Sequence, residues 1–296
     1  MSRVVAVLTL SLLLTTTVSS QRKTDLEREG LTGPVRTVSA ESSEILYLEG
    51  QEHNARTKKL DALTFDPQAR LIERTIYDDY GFLVGKEEYA HDVAGHLIRT
   101  ELHDTRGRPQ EKRVFSYRND RLEETITYDE KGVANLREVY VYDQKGRRKE
   151  EVYYAQARTI GKTTFKIDEG GNLLEASFFG PHGAKAVAPI GPCFQVHRVA
   201  YSYDGHGRVI EEIAFELDGA VKRKSAYRYD DKGNLAEELR VDSYSTLKFV
   251  HGYEYDARGN WTKQTIRVHT SRVPLFGGTP DESQRTIVKI RKITYY

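Results

Sequence analysis

The segment "YEYDARGNW" occupies Tyr253–Trp261, and three close relatives of it recur upstream. They are "YSYDGHGRV" at Tyr201–Val209, "YRYDDKGNL" at Tyr227–Leu235 and "YVYDQKGRR" at Tyr140–Arg148. The turn aspartates of the last three units along the chain are spaced 26 residues apart, at Asp204, Asp230 and Asp256. A unit that recurs at a fixed spacing indicates repeated architecture rather than one catalytic site.

Aromatic residues alternate before each of these aspartates, with one residue between the members of each pair. A spacing of two puts both rings on one face of a β-strand, whereas a helix would scatter them. Turn signals recur every 12 to 14 residues, which leaves about eight or nine residues between turns, the length of a strand. The paired aromatic residues form a predicted stripe, which Trp261 extends: Tyr140, Tyr142, Tyr201, Tyr203, Tyr227, Tyr229, Tyr253, Tyr255 and Trp261.

The Asp-x-x-Gly part of the unit predicts a hairpin turn. The Asp side chain accepts backbone N–H groups of its own loop, and the Gly takes the positive φ that ends a type I turn. The predicted turn pairs are Asp78 and Gly81, Asp129 and Gly132, Asp143 and Gly146, Asp204 and Gly207, Asp230 and Gly233, and Asp256 and Gly259.

Units of this form resemble the YD repeats of Rhs-type proteins, tripartite-toxin shells and teneurins. The resemblance covers about residues 65–261 and is most specific at Tyr203-Asp204-Gly207-Arg208, Tyr229-Asp230-Gly233-Asn234-Leu235 and Tyr255-Asp256-Gly259-Asn260. In that family the repeats form a long sheet that spirals into a hollow shell. The chain is most similar to short, exported bacterial members, and the resemblance leaves a toxin- or secretion-associated scaffold open as a role.

The predicted fold is all-β: an antiparallel meander of YD-type hairpin repeats that forms a long, twisted and curled open sheet. Residues 21–296 are predicted to be a single domain. Loops rich in Gly and Pro interrupt it at about 179–194 and at 271–283, and a C-terminal strand follows at 284–296.

The first twenty residues predict a secretory signal peptide, cleaved near Ser20-Gln21. Arg3 precedes an apolar stretch from Val4 to Leu14 that is too short to span a bilayer comfortably. The chain has one Cys, so no intramolecular disulfide can form, which suits a bacterial periplasmic or extracellular protein. No transmembrane segment is expected after cleavage.

Charge composition argues against nucleic acid as a partner. The chain has 45 Lys and Arg against 44 Asp and Glu, with the two signs interleaved. It therefore lacks the basic surface that phosphate backbones or anionic lipids require.

Glutamates follow the turn aspartates by seven residues at Glu73, Glu111, Glu150, Glu175, Glu211 and Glu237. Paired carboxylates could serve a glycosidase, but a spacing that occurs six times favours strand positions opposed by basic residues of neighbouring strands. The turn aspartates supply too few oxygens for calcium. An alternative function as a hydrolase would use His182, Cys193 and His197 in the long insertion.

The predicted function is therefore a non-catalytic binding or structural protein of the bacterial envelope, with no cofactor and no metal. An open tyrosine stripe would suit sugar rings or an extended peptide. The expected partner is a cell-envelope polysaccharide or another envelope protein.

Overall fold

A computed structural model describes residues 23–48, 51–54, 57–187, 196–273 and 281–296. The predicted signal peptide, its cleavage site and Cys193 lie outside the described residues. Those that are described form one short helix, α1 (Asp25–Arg28), and nineteen strands. The strands are β1 Val35–Leu48, β2 Gln51–Asn54, β3 Lys58–Phe65, β4 Leu71–Tyr77, β5 Leu83–His91, β6 Leu97–Asp104, β7 Pro109–Arg118, β8 Arg121–Asp129, β9 Ala134–Tyr142, β10 Arg148–Ala155, β11 Arg158–Ile167, β12 Leu173–Phe179, β13 Arg198–Tyr203, β14 Val209–Phe215, β15 Val221–Tyr229, β16 Leu235–Asp242, β17 Ser245–Tyr255, β18 Trp261–Arg272 and β19 Asp281–Tyr295.

The chain divides into two compact units. The larger unit comprises the described parts of Gln21–Asn135, Arg228–Leu239 and Tyr244–Tyr296. The smaller unit comprises the described parts of Leu136–Tyr227 and Arg240–Ser243. Each unit is built from antiparallel strands.

In the larger unit the strands pair in the order β17, β18, β19, β1, β3, β4, β5, β6, β7, β8. Strand β2 forms a hairpin with the far end of β1. In the smaller unit the order runs from β9 through β10, β11, β12, β13 and β14 to β15. Most strands that follow one another along the chain are neighbours because short hairpin turns connect them.

The prediction of an open sheet is wrong. An open meander would leave the first and the last strand as two free edges, but β1 and β19 pair antiparallel, from Val38 opposite Ile293 to Ile45 opposite Thr286. Joining the first strand to the last is what distinguishes a closed, barrel-type sheet from an open one. The pairing satisfies two rows of backbone N–H and C=O groups that an open sheet leaves unpaired.

The N-terminal segment contributes to the main apolar core of the larger unit. Thr24 caps α1: its hydroxyl accepts a hydrogen bond from the Glu27 N–H, and the Glu27 carboxylate accepts one from the Thr24 N–H. The helix thereby places Leu26 in a core whose buried members are Leu26, Leu31, Val35, Val38, Leu63, Phe65 and Leu71. A smaller core in the smaller unit contains Val196, Val199 and Ala214 with Tyr201 packed against them.

Among the described residues, no helix is long and apolar enough to cross a membrane.

Candidate binding face and its supporting turns

The repeated turn is a compact hydrogen-bonded loop, as the one at Asp204 illustrates. The Gly207 N–H donates to the Asp204 carbonyl over 3.0 Å, and the Asp204 N–H donates to the Arg208 carbonyl over 2.9 Å. The Asp204 carboxylate accepts from the N–H groups of His206 and Arg208. Gly207 has φ +74°, a backbone conformation that residues with a Cβ rarely adopt. The carboxylate therefore holds its own loop together.

The other five predicted turn pairs have the same backbone geometry. In each, the Gly N–H donates to the Asp carbonyl over 2.9–3.1 Å, and the Gly has a φ between +76° and +85°. Those turns lie at Asp78 and Gly81, Asp129 and Gly132, Asp143 and Gly146, Asp230 and Gly233, and Asp256 and Gly259.

The residue after the turn glycine also has a role, which the sequence analysis missed. At Arg208 the Nε–H donates to the second carboxylate oxygen of Asp204 over 2.7 Å. The same return bond joins Arg108 to Asp104, Arg147 to Asp143, His96 to Asp92 and Asn172 to Asp168. The recurrent Arg, Asn or His at this position in the sequence was the available signal.

These bonds set the ionisation of the turn carboxylates. Hydrogen bonds from the side chain and the N–H of Arg108 lower the pKa of Asp104 to about 2. At Asp204 the N–H of Arg208 is the main cause of a pKa below the usual value, with its side chain assisting. Hydrogen bonding to the charged form of a carboxyl group always acts in this direction.

The tyrosine hydroxyls of the predicted stripe reach neighbouring turns. Tyr203 donates to the Leu173 carbonyl over 2.8 Å, and Tyr253 donates to the Leu235 carbonyl over 2.9 Å. The Tyr255 hydroxyl accepts from Asn234 Nδ2 over 2.7 Å. Each of these rings therefore links its own strand to the start of the preceding strand or to the turn just before it. All nine residues of the predicted stripe are partly buried.

The structure gathers part of the stripe into one group in the larger unit, which we call the aromatic cluster: His251, Tyr253, Tyr255, Trp261 and Gln264. The Tyr253 ring lies 6.3 Å from Trp261, edge to face, and 6.2 Å from Tyr255. His251 stacks parallel to Tyr253 at 6.4 Å. Gln264 donates from Nε2 to the Tyr253 hydroxyl over 3.0 Å, so an amide borders the rings.

The six glutamates that raised the glycosidase alternative are engaged in ion pairs. Glu73 lies 3.1 Å from Lys86, and Glu211 lies 2.6 Å from Lys224. The others pair in the same way: Glu111 with Arg113, Glu150 with Lys162, Glu175 with Lys166 and Arg198, and Glu237 with Arg228 and Lys248. Apart from Glu111, whose partner is on the same strand, each is opposed by a basic residue of a neighbouring strand, as the spacing predicted.

The residues of the enzyme alternative are only partly described. His197 is buried; its Nδ1 lies 3.0 Å from the Ala186 carbonyl, and its ring packs edge to face against Phe179. His182 is exposed, and Cys193 lies outside the described residues. The described ranges contain no group of three or more His, Cys, Asp or Glu side chains that could hold a metal ion.

No protein-family model and no curated protein matches the chain. Among solved structures, a porin-like protein from Bacteroides uniformis is similar, with a TM-score of 0.42, 11% identity, and coverage of 89% of this chain and 98% of that chain. A chain of the Photorhabdus luminescens Tc holotoxin pore has a TM-score of 0.30 and 10% identity, over 79% of this chain and 16% of that one. For the TcdB2-TccC3 structure the TM-score is 0.25 and the identity is 13%, with coverage of 82% of this chain and 19% of that chain.

All three TM-scores lie below 0.5, and the chain spans less than a fifth of the two toxin chains. The likenesses therefore assign no function to this protein. The resemblance to YD-repeat proteins stays a prediction from the sequence.

Proposed function

We propose that this protein is an exported, non-catalytic binding or structural protein of the bacterial envelope that contacts a polysaccharide or another envelope protein. The observation that carries the proposal is the aromatic cluster. Partly buried aromatic rings bordered by a hydrogen-bonding amide suit sugar rings, whose apolar faces pack on aromatic rings while their hydroxyls exchange hydrogen bonds.

A second feature supports a water-facing sheet surface. We call it the charged face: cross-strand carboxylate and ammonium pairs that recur on several strands of the larger unit. Examples are Glu73 with Lys86 and Glu254 with Lys263, at 3.1 and 2.7 Å. A face with such pairs cannot lie against hydrocarbon, where lipid-facing strand positions are apolar. The pairs contribute little stability individually, but they keep this face solvated.

The turns and tyrosine hydroxyls supply the rigidity that a binding face requires. Each turn is closed by its own carboxylate, and the bonds of Tyr203 and Tyr253 to backbone carbonyls tie neighbouring turns together. A ring held in this way loses little conformational entropy when a ligand binds, which favours affinity.

The test is co-sedimentation of the purified protein with peptidoglycan and with insoluble polysaccharides. Trp261→Phe and Tyr253→Phe alter the aromatic cluster conservatively, and Tyr80→Ala is the matched control because Tyr80 is 73% exposed in a turn of the same unit. Saturable binding that weakens in folded cluster variants and persists in Tyr80→Ala supports the glycan version. Absence of binding to every glycan rejects it, and crosslinking in intact cells then tests for an envelope protein.

A further inference from the structure

A row of polar side chains crosses five strands of the larger unit, next to the aromatic cluster. Ser42 on β1 is paired with Lys58 on β3 on one side and with Lys289 on β19 on the other. Lys289 is paired in turn with Gln264 on β18, and Gln264 with Tyr253 on β17. Directly paired residues of antiparallel strands point to the same face of a sheet. We call this set, together with Arg291 two residues along β19, the cationic row.

Arg291 joins the row to the aromatic cluster. Its guanidinium lies 3.7 Å from the centre of the Trp261 ring, a cation–π contact that fixes the plane of the group. Its Nη1 is buried and has no hydrogen-bond partner within the described part of the chain. A guanidinium presents five N–H donors, and a buried donor without a partner is costly, so this Nη1 can take an acceptor from a ligand.

Lys289 and Arg291 are also poorly neutralised. No carboxylate of the described residues forms an ion pair with either group. Glu29 acts on Arg291 across space, but Glu29 is itself paired with Arg74 at 3.5 Å. The Nζ of Lys58 donates to the Asp79 carbonyl, and its charge adds to that of the other two.

The pKa values reflect this crowding of positive charge. Burial lowers the pKa of Lys289, and the charges of Arg291 and Lys58 lower it further. Burial also lowers the pKa of Arg291, to about 10. Arg291 therefore stays charged at neutral pH, and the row presents two partly desolvated basic groups.

We propose that the cationic row is an oxyanion-binding site that takes a carboxylate or phosphate group of a ligand, with Arg291 and Lys289 as the charged contacts. A planar guanidinium suits the two oxygens of a carboxylate, and a nearby ammonium adds a point charge. Ser42 lies in the same row, and its hydroxyl can donate a neutral hydrogen bond. Partly desolvated cations attract an anion more strongly than exposed ones.

This inference rests on the proposed function and deepens it, because it selects acidic polysaccharides among the possible envelope glycans. A sugar with a carboxylate has the negative charge that the row requires, and its ring can pack on the adjacent aromatic cluster. A neutral glycan would leave the two cations without a counter-charge in the complex.

Isothermal titration calorimetry with three soluble probes tests the site: a trisaccharide of galacturonic acid, the neutral trisaccharide of galactose, and inorganic phosphate. Lys289→Gln and Arg291→Gln remove the charges of the row. Lys292→Gln is the matched control, since Lys292 lies on the same strand, is exposed, and points to the other face opposite Ser39. We expect the acidic trisaccharide to bind at least tenfold more weakly to each row variant and within twofold of normal to the control.

Urea unfolding of the same variants distinguishes a loss of binding from a loss of folding. Removing a partly buried cation that has no acidic partner relieves a desolvation cost, so Lys289→Gln should unfold at an equal or higher urea concentration than the unmodified protein. Loss of binding without loss of stability supports the site. Loss of both together overturns it.

The three probes separate the two proposals. Binding of the neutral trisaccharide as tight as that of the acidic one, unchanged in Lys289→Gln, leaves the proposed function standing and rejects the oxyanion site. Binding of phosphate alone, lost in Lys289→Gln, supports an oxyanion site for free phosphate and rejects the glycan ligand. Absence of binding by all three probes rejects the oxyanion site.

Discussion

Asn260 links the N-terminal segment and the last strand to a turn of the larger unit. Replacing Asn260 should therefore lower the free energy of unfolding more than replacing the asparagine at the same position of another turn. The side chain is 1% exposed. Its Oδ1 accepts from the Thr32 N–H over 2.7 Å, and its Nδ2 donates to the Thr32 carbonyl over 2.9 Å and to the Tyr295 hydroxyl over 2.8 Å. These three short hydrogen bonds depend on one amide, at about 1 kcal/mol each, and the Thr32 hydroxyl adds a longer, weaker one to Oδ1.

Asn260→Ala should lower the free energy of unfolding by about 3 kcal/mol, which corresponds to a drop in Tm of roughly 5–10 °C for a domain of this size. The control is Asn172→Ala. Asn172 occupies the same position of another turn, but within the described part of the chain its Nδ2 bonds only to Asp168 of that turn, over 2.9 Å. The control should lose about 1 kcal/mol.

Urea unfolding followed by far-ultraviolet circular dichroism measures both variants. Asn260→Ala should lose about 2 kcal/mol more than Asn172→Ala, because it removes three hydrogen bonds and the control removes one. Equal losses in the two variants would refute the reasoning, because they would mean that the bonds to Thr32 and Tyr295 add nothing to the local turn.

Two further predictions concern the turns. The pKa of Asp104 is lowered from 3.8 to about 2 in the folded protein, so its contribution to stability is present above about pH 4 and is lost as pH falls through about 2. The urea midpoint should therefore fall over that window, and it should fall less steeply in Arg108→Gln. A midpoint that stays constant from pH 5 to pH 2 would contradict this prediction. Gly81→Ala should destabilise the protein more than Gly107→Ala, although both glycines have positive φ. A Cβ at Gly81 would lie 2.8 Å from the backbone nitrogen of Lys59, whereas a Cβ at Gly107 would meet nothing within 4 Å. The expected costs are about 1 kcal/mol for Gly107→Ala and more for Gly81→Ala; equal costs by urea unfolding would show that this contact is unimportant.

The strands and turns could be predicted from the sequence because the patterns that indicate them span only a few residues. Alternating aromatic pairs such as Tyr253 and Tyr255 indicate strands, since only a period of two puts both rings on one face. An Asp followed three residues later by Gly indicates a turn, since the carboxylate satisfies the loop amides and Gly accepts the positive φ. Neither signal depends on the rest of the chain.

The residues of the two proposed sites were predictable only in part. The stripe included Tyr253, Tyr255 and Trp261, which meet in the aromatic cluster, because they belong to the repeat. Arg291 and Lys289 lie in the last strand, outside the repeat, and nothing in their local sequence distinguishes them from the exposed Lys292. Their role depends on which residues of β1, β3 and β18 face them.

The sequence by itself therefore determined the strands, the turns and the order in which most strands pair, because those follow from local periodicity and short connections. Only the tertiary structure decided that β1 pairs with β19, that Asn260 holds Thr32 and Tyr295, and that the cationic row assembles beside Trp261. The pairing of β1 with β19 and the bond between Asn260 and Thr32 join residues more than two hundred positions apart along the chain. Pairings across such distances depend on the twist and register summed over every intervening strand, which no short segment encodes.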